Sequence, residues 1–170
     1  IKMDSFKKVR GITCQLYFNH NSKDVWNVIS APNHLNLFHP FCKKNSIISW
    51  DESSHIDMLE YLNGLKYIRK FTKWIPLKGY ELKIGKKDGK QSYVVWEIKE
   101  MDNTTCTLSI TVYPHLLSKY PKIISYLPFK LIIKPKLYNY LFSVISGLKY
   151  YLENNEKVPK NNFGKHKWFS

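Results

Sequence analysis

The chain has 170 residues and a mass of 20.2 kDa, with 44% hydrophobic and 15% aromatic residues, 7 Gly, 8 Pro and a net charge of +14. This composition excludes a disordered or collagenous chain and fits one compact domain, which at this length buries roughly 70% of its unfolded surface without disulfides or a structural metal. Cys14, Cys42 and Cys106 are far apart and form no CxxC pair, which argues against a disulfide framework or a zinc ribbon and makes the reducing cytoplasm the expected compartment.

The longest oily run, from Ile123 to Ile133, is broken by Pro128 and Lys130 and falls short of the roughly 20 apolar residues that a membrane-spanning helix needs. Residues 1–10 carry charge but no apolar stretch, so no signal peptide is expected. Twenty-seven basic against 13 acidic residues favour phosphate-bearing partners, either nucleic acid or anionic lipid. Arg10 and Arg69 are the only arginines. Lysine lacks the bidentate fork that reads guanine edges, so sequence-specific nucleic-acid recognition is not expected. The Lys, Asn, Ile and Tyr content also matches the vocabulary of an AT-rich genome, which would supply the same charge without a function.

In chain order, Ile12, Cys14, Leu16 and Phe18 alternate with Thr13, Gln15 and Tyr17, the period of a half-buried strand. Asn21 or Ser22 can cap a short helix carrying Val25, Trp26, Val28 and Ile29, which stops at Ala31-Pro32. A second short helix from Asn33 to Leu37 or Phe38 ends in the turn His39-Pro40-Phe41-Cys42. Turn signals then divide the chain into six further strands, approximately Asn45 to Trp50, Ile56 to Leu62, Lys66 to Trp74, Tyr80 to Gly85, Ser92 to Glu100 and Thr104 to Tyr113. Pro114 to Pro135 reads as an apolar and basic insertion. Lys136 to Asn154 forms the longest helix, with Leu137, Leu141, Val144, Leu148 and Leu152 on one face and Tyr138, Phe142 and Ile145 broadening it. The tail 155–170 is polar until Trp168-Phe169, which predicts that it packs on the single domain formed by 1–154.

One strand, two short helices, six antiparallel strands and a long helix give an α+β helix-grip fold, a curved seven-stranded sheet wrapped around the last helix. The stretch Asp24-Val25-Trp26-Asn27-Val28-Ile29-Ser30-Ala31-Pro32-Asn33-His34-Leu35, the His39-Pro40-Phe41 turn and Val94-Val95-Trp96-Glu97-Ile98 resemble segments of the SRPBCC or START-like superfamily. That superfamily includes polyketide cyclase/dehydrase-like proteins and pollen-allergen relatives. The resemblance covers nearly all of Lys8 to Glu153 and implies a hydrophobic pocket for a lipid, sterol or polyketide, with chemistry in only some members. The long insertion departs from the family's short connection at that point.

A curved sheet cannot touch one helix along its whole length, so the inward residues are expected to line a concave space. These are Trp50, Met58, Tyr67, Phe71, Leu82, Trp96, Leu108, Ile110, Leu141, Val144, Ile145 and Leu148; the competing expectation is that they fill it. A cyclase or dehydratase would need an acid or base such as Glu97, Glu60 or His39 in that space. Glu60, Glu97 and Asp57 are expected on the wet face. His34, His39 and Cys42 have metal-ligand chemistry without a fourth ligand, so neither a metal nor another cofactor is expected. The insertion carries Ile123, Ile124, Leu127 and Phe129 among Lys119, Lys122, Lys130 and Lys134, which suits a lid, an anionic bilayer interface or a homodimer contact. The leading expectation is a cytoplasmic monomer or homodimer that binds a hydrophobic small molecule, with peripheral contact at an anionic membrane surface as an added expectation. A cyclase-like enzyme and a basic nucleic-acid- or protein-binding module are the alternatives.

Overall fold

The computed structural model describes residues 11–115 and 126–170. The expected residues Lys119, Lys122, Ile123 and Ile124 lie outside them. The elements are β1 (Ile12–Phe18), α1 (Ser22–Ile29), α2 (Leu35–Phe38), β2 (Cys42–Trp50), β3 (His55–Tyr61), β4 (Lys66–Ile75), β5 (Gly79–Gly85), β6 (Gln91–Glu100), β7 (Cys106–Tyr113) and α3 (Lys134–Asn154). The seven strands form one antiparallel sheet in the order β1-β7-β6-β5-β4-β3-β2, and α3 packs against it at β1 and against α2. This is the helix-grip architecture.

Local chemistry sets the element ends. Asn21 caps α1 by accepting from the Asp24 amide at 2.9 Å, and Asn155 ends α3 in the left-handed region at φ 54°. Among the described residues the backbone is already helical at residue 126, ten residues before the expected start of α3. Pro135 does not stop it: proline stands at the N-terminal end of α3 directly after a π turn, where the regular hydrogen-bond ladder is already interrupted. Upstream the backbone widens into a π turn over Phe129–Ile133, in which the Lys134 amide donates to the Phe129 carbonyl. The second half of the insertion is therefore a continuation of α3.

Strand phase decides what faces the helix. In β3 the buried residues are Asp57, Leu59 and Tyr61, one position out of step with the expected inward Met58, which is only half-buried. In β4 Tyr67, Arg69 and Phe71 turn inward. A bulge between Phe71 and Lys73 then shifts the alternation, so that Trp74 packs with the core. Tyr138 and Phe142, expected to broaden the buried face of α3, are exposed.

Candidate functional site

The interior divides into a filled end and a hollow end. At the filled end Trp50, Phe71, Trp74, Tyr80, Trp26 and His55 pack edge-on and stacked, with Trp74 on His55 at a 4.0 Å centroid separation and Trp74 on Tyr80 at 5.3 Å. Trp50 and Phe71 belong to this cluster. Leu108, Ile145 and Leu148 lie in the solid core. At the hollow end a cavity of about 90 Å³ lies between the sheet and α3. Of the residues expected to line it, Tyr67, Leu82, Trp96, Ile110, Leu141 and Val144 do so; Trp50, Met58, Phe71, Leu108, Ile145 and Leu148 do not.

Apart from His39, a candidate acid or base on sequence grounds, the rest of the wall is not among the expected lining residues. His39, Tyr61, Arg69, Ser92 and Tyr140 add polar groups, and Phe169 comes from the tail. Tyr140 had a readable signal: it stands three residues after Leu137 and four before Val144, on the apolar face of α3.

Asp57 and Arg69 are cross-strand partners, and both are buried, at 0% and 3% exposure. This corrects the expectation that Asp57 faces water. Arg69 Nε donates to Asp57 Oδ1 at 2.7 Å, and Nη2 donates to Oδ2 at 2.5 Å and to His34 Nε2 at 3.2 Å. His34 Nδ1–H donates to the Ala31 carbonyl at 2.6 Å, which fixes a neutral tautomer with Nε2 as acceptor. Burial and the neighbouring Arg69 push His34 down to about 3. Burial alone would raise the Asp57 carboxyl, but the charge and hydrogen bonds of Arg69 hold it below its usual range.

A second network meets the cavity at the His39 turn. The Phe41 amide donates to His39 Nδ1 at 3.2 Å, so the proton sits on Nε2 and is donated to Tyr140 Oη at 2.9 Å. Tyr140 Oη lies 3.1 Å from Tyr61 Oη. Burial, Arg69 and Lys160 push His39 to about 3, and burial raises both tyrosines. The turn reaches the helix because Gly147 carries no side chain: a Cβ there would stand 2.0 Å from the Phe38 carbonyl oxygen.

The tail holds the same turn from the other side. The Val158 amide donates to the Leu37 carbonyl at 2.9 Å, the Asn161 amide to the Pro40 carbonyl at 3.0 Å, and Lys160 Nζ to the Cys42 carbonyl. Asn63 Nδ2 donates to the Trp168 carbonyl at 2.8 Å and His166 Nε2 to the Lys136 carbonyl at 3.0 Å. Phe169 then stacks on Tyr61 at 4.4 Å and meets Tyr140 at 4.6 Å.

The remaining candidates lie elsewhere. Glu60 is on the outer face with Lys43 at 2.9 Å and Lys66 at 3.9 Å, and Glu97 is exposed on β6. Among the described residues, no carboxylate lines the cavity. Cys42 packs against Asn36, and burial pushes its thiol up to about 11. Phe129 is buried against the core, whereas Leu127, Lys130 and Lys134 are exposed.

No protein-family model and no curated protein sequence matches the chain. Solved structures do match its fold. A START superfamily protein from Mycobacterium smegmatis superposes with a TM-score of 0.65 at 9% identity, over 85% of this chain and 98% of that one. A protein from Thermus thermophilus gives 0.67 at 12% identity, over 86% and 99%. The Zhui aromatase/cyclase from a Streptomyces species gives 0.58 at 10% identity, over 88% and 99%. The chain has the helix-grip fold of these START and aromatase/cyclase neighbours. No helix among the described residues is long and apolar enough to cross a membrane.

Proposed function

We propose that this protein binds a small hydrophobic molecule in the cavity between the sheet and α3, for carriage or sequestration. The observation that carries this reading is the wall itself: a mostly apolar lining from β5, β6, β7 and α3, with Arg69, His39, Tyr61 and Tyr140 supplying most of its polar groups and Ser92 a further hydroxyl on β6. Such a lining rewards an apolar occupant and orients it by a few polar contacts. The START and aromatase/cyclase neighbours support the reading at the level of fold. At about 90 Å³ the cavity is smaller than sites for drug-sized ligands, so it suits a single ring or short chain rather than a sterol. Native mass spectrometry of the purified protein, followed by organic extraction and soaking with one-ring compounds, tests this. A bound mass of that class is the expected result; an empty protein that takes up none of them overturns the reading.

A second role, reversible contact with an anionic bilayer, is supported by the N-terminal part of the long helical segment. Leu127 and Leu131 are 60% and 63% exposed, Ile132 is exposed beside them, and Lys130 and Lys134 are interspersed. Inserted apolar side chains with lysines at the phosphate level are the ingredients of interfacial docking. Flotation with vesicles containing phosphatidylserine should recover the protein, and replacing Leu127, Leu131 and Ile132 by serine should abolish recovery. Equal recovery of the triple variant would overturn this role.

A further inference from the structure

The His39, Tyr140 and Tyr61 contacts contain more donors than they consume. Three hydrogens are available, His39 Nε2–H and the two hydroxyl hydrogens, and only two contacts join the three groups, at 2.9 and 3.1 Å. Whichever way the hydroxyls rotate, one O–H remains. If Tyr140 donates to Tyr61, the Tyr61 hydrogen is left; if Tyr61 donates, the Tyr140 hydrogen is left. Both residues line the cavity, and Tyr61 is 1% exposed. A buried hydroxyl hydrogen left unpaired carries a desolvation cost, which an acceptor brought in by a ligand removes.

Among the described residues that line the cavity, positive charge is not similarly available. The Arg69 guanidinium is matched by the Asp57 carboxylate. His39 has no site for a second proton, because Nδ1 already accepts the Phe41 amide and Nε2 already carries hydrogen. A carboxylate entering the cavity would therefore be a buried charge without a counter-charge, and its desolvation would oppose binding. On the reading proposed above, we infer that the bound molecule is uncharged and presents a hydrogen-bond acceptor, a ketone-type carbonyl oxygen, to the Tyr61–Tyr140 hydroxyl pair.

Three planar one-ring probes of nearly equal shape test this: acetophenone, its hydrocarbon counterpart α-methylstyrene, and benzoate. The expected result is that acetophenone binds with its carbonyl stretching band moved to lower frequency than in hydrocarbon solvent, and that benzoate binds at least about tenfold more weakly. The Y61F/Y140F double variant keeps both rings, so it should still bind α-methylstyrene while the band of bound acetophenone moves back toward its hydrocarbon position. A carbonyl band at the hydrocarbon position in the wild-type protein, an unchanged shift in the double variant, or benzoate bound as tightly as acetophenone would each overturn the inference. Binding of α-methylstyrene with any of those results leaves the cavity reading standing. Failure of the wild-type protein to bind any of the three defeats that reading as well.

Discussion

Arg69 and Asp57 sit directly opposite each other on β4 and β3, hidden from solvent and joined by two hydrogen bonds, with His34 as a third partner of the guanidinium. An ion pair so placed contributes little net stability when whole, because desolvation offsets the attraction, yet it is costly to break. Asp57→Asn should therefore destabilise the protein by about 3–5 kcal/mol, as should Arg69→Met, each leaving one buried charge or donor group uncompensated. The double variant Asp57→Leu/Arg69→Met should recover much of the loss. Urea denaturation of the three variants checks this, and a double variant whose losses simply add would contradict it.

Acid should unfold the protein through its buried imidazoles. His34 and His39 titrate near 3 in the native state, against about 6.5 in an unfolded chain. Between those values the unfolded chain binds protons that the native state does not, so stability rises with pH across the window and is lost as pH falls below about 6.5. Each histidine contributes a slope of about 1.4 kcal/mol per pH unit. Denaturation midpoints measured from about pH 7 to about pH 4.5 should fall steeply, and His39→Gln should flatten the fall.

Gly147→Ala runs against helix propensity. Alanine in a helix interior ordinarily gains up to about 1 kcal/mol over glycine. Here the new methyl meets the Phe38 carbonyl oxygen, so α2 and the His39 turn must move away from α3. A net loss of about 1–3 kcal/mol is expected, visible as a lower melting temperature. The same displacement should weaken probe binding in the cavity, because it separates His39 from Tyr140.

Phe169→Ala removes a ring that forms part of the cavity wall and stacks on Tyr61. The cost should be about 3–4 kcal/mol, in the lower part of the range for truncating a buried phenylalanine. The enlarged space should also admit two-ring probes that the wild-type protein rejects. Titration with naphthalene against a one-ring hydrocarbon reports the change; identical selectivity would place Phe169 outside the wall.

All seven strands were legible because their periodicity and turn signals agreed, as in Cys106, Leu108, Ile110 and Val112 alternating with threonines and serine. The interior of β3 was not. Pattern alone places Met58 inward and Asp57 outward, and the reverse holds because Arg69 is its cross-strand partner, a register that no single strand discloses. Of the residues expected to line the cavity, β5, β6, β7 and α3 supply five and Tyr67 of β4 is the sixth. The aromatic residues Trp50 and Phe71 were misplaced for a related reason. A bulge turns Trp74 toward them, and three large rings then fill space that two would have left open. The polar end of the cavity depends on Tyr140, His39 and Phe169 meeting from three distant stretches of chain.

Among the described residues, Arg69 is the sole arginine and it is buried, so the permanent positive charge of the described surface is carried by primary amines. Amines can be acylated and guanidinium groups resist the same reagents. The outer field of this protein is thus chemically erasable while its interior ion pair is not. A molecule acetylated at its exposed lysines would keep the Asp57–Arg69 pair and present an acidic exterior, which separates the contribution of surface charge from that of the buried pair in a single chemical step.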